Sequence, residues 1–272
     1  MTIPSLSPRV GAAAGYLLCL ALVPVYVNMF PIWKYLSTRF GDTIFIFLPA
    51  AILLLFLGVI LLLYCKFGKA APSIRKTRVT LGILLCCIGL LSSDPEFPVK
   101  RIHVAEYAFL CLVARYAMSH FVHGPALFFF SAGLGTILGV HDEFLQGFHP
   151  ARTYGLRDMA VNLLGSFGGG LIWHGLHLFS PGRGSSFGRV DAFFLCWLSA
   201  SVLLLVWPVV FFRGLVIEIW VTLPLLAAPV YYFSFQDRFT REHIHGITVI
   251  GAAAVVLAAY PLLTRVPGIV FY

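Results

Sequence analysis

Long apolar stretches alternate with short charged or Pro/Gly-rich breaks along the whole chain. Membrane-spanning helices have this pattern, because each needs about 20 consecutive apolar residues. The pattern predicts nine helices, within a range of seven to nine, since the third stretch is short and the break near residue 213 is thin. The nine predicted spans are 11–31, 43–65, 79–93, 103–119, 125–141, 158–179, 191–212, 214–234 and 247–264. The expected fold is all-α, a polytopic transmembrane helical bundle.

Composition agrees with a membrane protein. Hydrophobic residues make up 60% of the 272-residue chain and charged residues 11%, whereas soluble domains carry about 25% charged residues. The mean hydropathy is +0.92. These values exclude a soluble enzyme, a fibrous repeat and a disordered chain. The net charge of +8 comes from 19 basic and 11 acidic residues scattered through short breaks, so it indicates membrane orientation and not a nucleic-acid partner.

The basic residues predict how the chain is oriented. The most basic break, 66–78, holds five Lys and Arg residues and is expected in the cytoplasm by the positive-inside rule. The first apolar run continues to about residue 30 without a cleavage site of small residues, so it is interpreted as a retained helix. The expected location is the plasma (inner) membrane, with many passes. The chain divides into an N-terminal helix pair at 1–78, a four-helix core at 79–180 and three C-terminal helices at 181–272.

Acidic residues are concentrated in the central part of the chain. Six of the eleven acidic residues and five of the nine histidines lie from Asp94 to Asp158. Because successive helices alternate in direction, the ends of spans three and five and the starts of spans four and six are expected on one face, the outer one in this orientation. Ionisable groups at membrane depth are costly unless they face protein or water. The sequence therefore predicts a polar pocket at that face. A transporter is disfavoured, because its polar residues would extend through the full depth.

Helical spacing selects the residues of this pocket. Residues three or four positions apart share one face of a helix. The polar pairs with this spacing are His103 with Glu106, Asp142 and Glu143 with Gln146, and Asp158 with Asn162. The segment between spans five and six adds Arg152 and Arg157, whose guanidiniums suit bidentate recognition of phosphate or carboxylate. Phosphate is the anion that a membrane supplies, so membrane lipids or a polyprenyl-linked carrier are the expected partners.

The same residues carry a resemblance to a known family. The segment HDEFLQGFHPARTYGLRDMAVNLLGSFGGG resembles the central motif of VanZ-like membrane proteins, approximately D-E-x-x-Q-x-F-x-P-x-R followed by D and by N-x-x-G. The matching positions are Asp142, Glu143, Gln146, Phe148, Pro150, Arg152, Asp158, Asn162 and Gly165. Upstream, KRIHVAEYAFL resembles the family's K-x-x-H-x-x-x-Y-x-x-L helix through His103, Glu106 and Tyr107. The resemblance covers about residues 79–180. The two helices before it and the three after it depart from the family's core of four or five helices.

What the resemblance implies is a protein of the cell envelope. The family is named for a protein that gives low-level resistance to the glycopeptide teicoplanin. It has been grouped by pattern with membrane enzymes that act on lipid head groups, including base-exchange phosphatidylserine synthases. Two functions follow: a lipid head-group transferase or hydrolase in envelope or exopolysaccharide metabolism, or a non-catalytic protein that binds a lipid or the glycopeptide target. The sequence indicates no cofactor, no set of metal ligands and no particular protein partner.

The candidate catalytic residues each have a functional and a structural interpretation. Asp142 and Glu143 form either an acid/base or metal-assisted centre, or a carboxylate pair at the water interface. We favour the functional interpretation, because adjacent carboxylates in a membrane helix are costly. His103 with Glu106 is either a base with its orienting carboxylate or an interfacial histidine that a backbone carbonyl satisfies. These alternatives stay open at the level of sequence.

Further candidates would bind or orient a substrate. Arg152 and Arg157 are either ligands of a lipid phosphate or surface residues of an outer loop. The preceding Pro150 favours the phosphate-binding role for Arg152. Asp158 is expected both to cap helix six and to take part in the pocket, and Asn162, one turn deeper, to hydrogen-bond across helices. Gln146 and Tyr107 complete the predicted substrate-binding set.

Three other features are interpreted from the sequence. The glycines from Gly165 to Gly170 lie on a membrane helix, where small residues allow close helix packing. Glu218 in the eighth span is either a functional group or a partner for Arg213. The segment around His243 is interpreted as a solvated cytoplasmic loop.

Overall fold

The computed structural model describes residues 7–41, 43–67, 73–150, 152, 154–179 and 184–272. Regular structure within these ranges is entirely helical, which confirms the all-α prediction. The α-helices are α1 (Pro8–Val27), α2 (Met29–Phe40), α3 (Ile44–Phe67), α4 (Ser73–Ser92), α5 (Ile102–Met118), α6 (Gly124–Gln146), α7 (Leu156–Gly175), α8 (Arg189–Phe211), α9 (Leu223–Phe235), α10 (Ile244–Val256) and α11 (Ala259–Leu263). Short 3-10 turns lie at Pro98–Arg101, Ile219–Thr222, Gln236–Arg238 and Arg241–His243.

Five helical stretches of the described chain are long and apolar enough to cross a membrane. They are Pro8–Val27, Gly124–Gln146, Arg189–Phe211, Ile219–Arg238 and Arg241–Leu263. A shorter apolar stretch is Phe47–Leu62. Many large apolar side chains on the outer helices are exposed, as a surface that faces lipid requires. The chain is a helical membrane protein, whereas the predicted count of nine spans is not confirmed.

The N-terminal spans end at different residues from those predicted. The backbone N–H and the side-chain amide of Asn28 both donate to the Pro24 carbonyl, at 3.0 and 2.7 Å. Asn28 is the C-cap of α1, which ends at Val27, and a separate helix, α2, begins at Met29. The third predicted span is longer than expected, because α4 begins at Ser73. Lys and Arg are good helix formers, so much of the basic break at 66–78 lies in helix ends.

The eighth predicted span, 214–234, is helical only in its second part. Residues 215–218 have no regular structure, and α9 begins at Leu223 after a single 3-10 turn. Pro224 lies in the first turn of α9, where a proline is favoured because its missing N–H would have no helical partner. The connection from α8 to α9 therefore includes a non-helical segment before α9 begins.

Helices α5, α6 and α7 form the centre of the bundle, with α4 packed on α7 and with α1 and α10 packed on α6. Glycines on α7 allow these close approaches. A Cβ at Gly169 would lie 2.6 Å from the Cα of Ala108 on α5. A Cβ at Gly82 on α4 would lie 2.6 Å from the carbonyl oxygen of Gly168. The prediction that this glycine run serves helix packing is confirmed.

The length of α6 decides where the central polar residues lie. This helix continues to Gln146, five residues past the predicted end at 141. His141, Asp142, Glu143 and Gln146 therefore project from the last turns of a regular helix, with α5 on one side and α7 on the other. All four side chains are buried.

Candidate functional site

The site is built around two consecutive carboxylates, Asp142 and Glu143, which are both 0% exposed. Consecutive residues on an α-helix point about 100° apart. The two side chains consequently reach different neighbours: Asp142 contacts α5, and Glu143 contacts α7 and the segment before it. A buried carboxylate is costly unless several donors compensate for lost water. Each of the two has such donors.

Two side chains donate hydrogen bonds to Asp142, and a third donates to one of these two. The Tyr107 hydroxyl donates to Oδ2 of Asp142 at 2.7 Å. The amide of Gln146 donates to Oδ1 at 3.2 Å. Arg152 then donates from Nη2 to Oε1 of Gln146 at 2.5 Å, so the half-buried guanidinium is joined to Asp142 through one amide. Four of the residues predicted for the pocket are thereby brought together.

Glu143 is held from the α7 side. Asn162 donates from Nδ2 to Oε1 of Glu143 at 3.4 Å, and the backbone N–H of Gly155 donates to Oε2 at 3.3 Å. The same Nδ2 donates to the Gly139 carbonyl at 3.4 Å, so both acceptors fix the orientation of the amide. Oδ1 of Asn162 is buried and has no hydrogen-bond partner in the described part of the chain. The same is true of the Ser166 hydroxyl, one turn further along α7.

His103 and Glu106 form the predicted pair on α5. Nδ1 of His103 lies 2.9 Å from Oε2 of Glu106. The His103 ring also lies against Tyr107, with the ring centroids 6.3 Å apart. Because Tyr107 bonds Asp142, one aromatic ring separates the His103–Glu106 pair from the carboxylate centre. The arrangement suits a histidine oriented by a carboxylate.

Asp158 and Arg157 are adjacent in sequence, but they have separate surroundings. Asp158 is buried and forms a 2.7 Å ion pair with Lys100. Arg157 is 57% exposed at its side chain and pairs with Asp94 at 3.5 Å, so it lies outside the carboxylate cluster. The helix α7 starts at Leu156 with Gly155 as its cap. Asp158 is therefore a first-turn residue, where the helix dipole favours a carboxylate, and not the predicted cap.

Lys100, Tyr154 and Arg213 are site residues that the sequence analysis did not select. Lys100 was visible as the first letter of the K-x-x-H pattern. Tyr154 is 2% exposed, its hydroxyl donates to the Val209 carbonyl at 2.9 Å, and the Arg213 guanidinium lies 4.4 Å from its ring centre. Arg213 also donates to the Tyr154 carbonyl. Burial raises the pKa of the Tyr154 hydroxyl. These contacts attach the segment before α7 to the end of α8.

Polar and small residues continue from this site into the middle of the bundle. On α7 they recur at every fourth position, as Asp158, Asn162, Ser166, Gly170 and His174. Across from them on α6, Ser131 accepts a weak 3.9 Å contact from Cys111. The row is interrupted at Gly170, where a Cβ would lie 3.1 Å from the Phe128 ring and 3.3 Å from Ala132. The polar region is thus deeper than predicted, and beyond Gly170 it resumes at His174, whose Nδ1 lies 3.4 Å from Nη2 of the buried Arg115.

A second polar cluster lies at the other end of α8. Nδ1 of His243 lies 2.8 Å from Oδ2 of Asp191, and Nε2 lies 3.4 Å from the Ser185 hydroxyl. Asp191 also accepts the backbone N–H groups of Gly188 and Thr240. His243 is 1% exposed, so the interpretation of this histidine as part of a solvated loop is wrong. The cluster joins the start of α8 to the turn before α10.

The side chains of this site supply proton donors and acceptors and one guanidinium cation. Within the described ranges, no group of three or more His, Cys, Asp or Glu side chains is arranged to hold a metal ion. The donors around Asp142 and Glu143 are instead hydroxyl, amide and backbone N–H groups. Arg152 is the cation nearest to them in the hydrogen-bonded chain.

Comparisons with known proteins give no relative: no family model, no curated protein and no solved structure matches this chain. The resemblance to VanZ-like proteins consequently rests on the motif residues themselves.

Proposed function

We propose that this membrane protein is VanZ-like and processes the polar head group of a lipid or of a polyprenyl-linked carrier in cell-envelope or exopolysaccharide metabolism. Its pocket would open at the outer face of the plasma membrane. The observation that carries the proposal is the pair of consecutive carboxylates, both fully buried, with a guanidinium joined to one of them through Gln146. Buried ionisable groups in membrane helices are costly and mark functional sites.

The proposed roles follow from the contacts. Glu143 would take the proton of an attacking hydroxyl as that oxygen bonds to phosphorus. The bond from phosphorus to the leaving head group would break, and the His103–Glu106 pair would return a proton to it. General acids and bases contribute through this positioning of proton donors and acceptors. Tyr107 and Asn162 would hold the two carboxylates in place.

Arg152 is the proposed phosphate ligand. Its guanidinium is half-buried and donates to the carbonyl oxygen of Gln146, a neutral acceptor. The planar donors of a guanidinium suit two phosphate oxygens. Arg157 is the weaker candidate, because it pairs with Asp94 and is turned toward the exposed surface.

A ligand can reach Glu143 only if neighbouring groups separate, because this carboxylate is 0% exposed. The contact that must yield is the 3.3 Å bond from the Gly155 N–H to Oε2. Bond lengths of 3.3 and 3.4 Å to Glu143 are at the long end for hydrogen bonds. Replacement of these bonds by bonds to a substrate is therefore less costly than loss of the 2.7 Å bond at Asp142.

The second candidate function is binding without catalysis, of a lipid or of the glycopeptide target in teicoplanin-type resistance. The observation in its favour is the complete set of donors around Asp142. Tyr107 and Gln146 each use one carboxylate oxygen. A carboxylate held this way can order a binding site without changing its protonation state.

The experiment that tests the proposal is comparative lipid mass spectrometry of membranes from cells that express matched levels of wild type, Glu143→Gln or Glu96→Gln. Glu96 is an exposed carboxylate outside the cluster, so Glu96→Gln controls for the chemical change. A lipid that changes with wild type and with Glu96→Gln, but not with Glu143→Gln, supports catalysis. If the lipid profiles of all three strains match and the same lipid co-purifies with each protein, the enzyme hypothesis is overturned and the binding hypothesis remains.

A further inference from the structure

An apolar groove lies on the outside of the bundle, along the last turns of α8. It has a volume of about 670 Å³, within the range of about 300–1,000 Å³ that is typical of ligand sites. Its walls come from α8, from the segment that follows, including the 3-10 turn Ile219–Thr222, and from the start of α9. They include Leu203, Leu204, Trp207, Phe212 and Trp220. These side chains are 53–69% exposed, so the groove faces the membrane.

The groove extends over about half of the membrane. Leu203 on α8 and Phe212, directly after the end of this helix, are nine positions apart, which corresponds to roughly 14 Å at 1.5 Å per residue. The hydrocarbon core of a bilayer is about 30 Å thick, so the groove has the depth of one leaflet. A partner helix that crosses the membrane would need a contact surface of twice this length. One acyl chain of a lipid fits the observed depth.

Two charged side chains lie at the mouth of the groove. Glu218 is part of the groove wall, and Nη2 of Arg265 lies 3.5 Å from its Oε2. Arg265 also donates to the Ile217 carbonyl at 3.3 Å. The Glu218 and Arg265 side chains remain 71% and 40% exposed. An exposed carboxylate beside an exposed guanidinium is complementary to a head group that carries both an ammonium and a phosphate.

The mouth of the groove lies at the same end of the bundle as the carboxylate site. Phe212 in the groove wall is followed by Arg213, which donates to the Tyr154 carbonyl. The next residue, Gly155, donates to Glu143. Two hydrogen bonds, each preceded by a peptide bond between sequence neighbours, therefore lead from the groove to the buried carboxylate.

We infer that this groove binds one acyl chain of a zwitterionic glycerophospholipid, with its head group at Glu218 and Arg265. The inference deepens the proposed function, because such a lipid would stand beside the site that acts on head groups. Binding in the groove depends only on the groove itself, so the two claims can fail separately.

The experiment is native mass spectrometry of the full chain released from nanodiscs that contain equal amounts of phosphatidylethanolamine and phosphatidylglycerol. Leu204→Trp fills the groove with a larger side chain. Leu62→Trp is the matched control, because Leu62 is 72% exposed on α3, outside the groove. We expect wild type and Leu62→Trp to retain one phosphatidylethanolamine, and Leu204→Trp to lower this retention at least fivefold. Elution volume on size exclusion verifies that each variant is folded.

A second variant tests the head-group contact. Arg265→Gln should reduce retention of phosphatidylethanolamine severalfold while the groove stays open. Equal retention by Leu204→Trp and wild type, or equal retention of phosphatidylglycerol, overturns the inference. So does a dimer, or a complex with another protein, that is lost on Leu204→Trp, since a protein would then cover the groove.

The outcomes separate this inference from the proposed function. If wild type retains phosphatidylethanolamine in the groove but cells with wild type and with Glu143→Gln have the same lipids, the groove is confirmed as a lipid site and the proposed enzymatic function is wrong. If Leu204→Trp abolishes retention while lipid conversion continues at the wild-type rate, the groove does not supply the substrate and its link to the site is wrong.

Discussion

The hydroxyl of Tyr107 donates a 2.7 Å hydrogen bond to Oδ2 of Asp142, and neither side chain has any exposed surface. This bond joins α5 to α6 where no water reaches either group. Tyr107→Phe keeps the ring and removes the donor, so one oxygen of a buried carboxylate loses its partner.

We expect Tyr107→Phe to lower the free energy of unfolding by about 1.5–3 kcal/mol, the range for hydrogen bonds to charged groups. Titration of the purified protein with SDS measures this change. Tyr35→Phe is the control, because Tyr35 is 66% exposed on α2. An equal shift in the two variants would show that the bond to Asp142 contributes nothing to stability.

The two ion pairs near the start of α7 should differ in their effect on stability. Lys100→Met leaves the buried Asp158 without its cation, which costs about 3–5 kcal/mol for a buried pair. Arg157→Met breaks the exposed pair with Asp94, which is worth at most about 1 kcal/mol. The same unfolding titration compares them. The prediction is contradicted if Arg157→Met is the more damaging change.

A methyl group added at the α5–α7 contact should be destabilising. In Gly169→Ala the new Cβ would lie 2.6 Å from the Cα of Ala108, so the helices must separate, at a cost of about 1–3 kcal/mol. Gly58→Ala on α3 is the matched change, since no atom lies within 4 Å of its added Cβ. There the lost flexibility of glycine favours the folded state by about 0.5–1 kcal/mol. Thermal unfolding in detergent should shift in opposite directions.

Asn162 and Ser166 lie one turn apart on α7 but should respond differently to alanine. Asn162→Ala removes the donor to Glu143 and to the Gly139 carbonyl, and we expect a loss of about 1–3 kcal/mol. Ser166→Ala removes a buried hydroxyl that has no partner in the described chain, so stability should stay within about 0.5 kcal/mol. Equal losses, measured by SDS titration, would mean that the Ser166 hydroxyl binds an internal water or a ligand.

Much of the central fold follows from local sequence. The spans at α5, α7 and α8 are predicted within three residues of their observed starts, because apolar runs bounded by charges define a membrane helix directly. The His103–Glu106 pair follows from helical spacing alone. The packing role of the α7 glycines is likewise predictable from sequence, because a glycine run inside a membrane helix has few uses besides packing.

Other features depend on contacts that spacing does not reveal. Apolarity alone does not reveal that the chain from 214 to 222 lacks α-helix, because its composition is as apolar as that of a membrane helix. Glu218 pairs with Arg265 and not with Arg213, since the last residues of the chain fold back toward Gly147. The burial of His243 depends on Asp191, 52 positions earlier. Partners this distant in sequence are set by tertiary packing.

The row of polar and small residues on α7 also limits how the three central helices can be assembled. Lipid is as apolar as leucine, so an apolar helix can turn about its own axis at little cost. In this bundle a rotation of α6 by one residue, about 100°, would move Asp142 away from Tyr107 and Glu143 away from Asn162. One carboxylate would then point in the direction that the other has now, and the other would lose its hydrogen-bond donors. The bonds from Tyr107 and Asn162 form together at only one rotational setting of α6. They therefore favour this setting over others during assembly of the bundle.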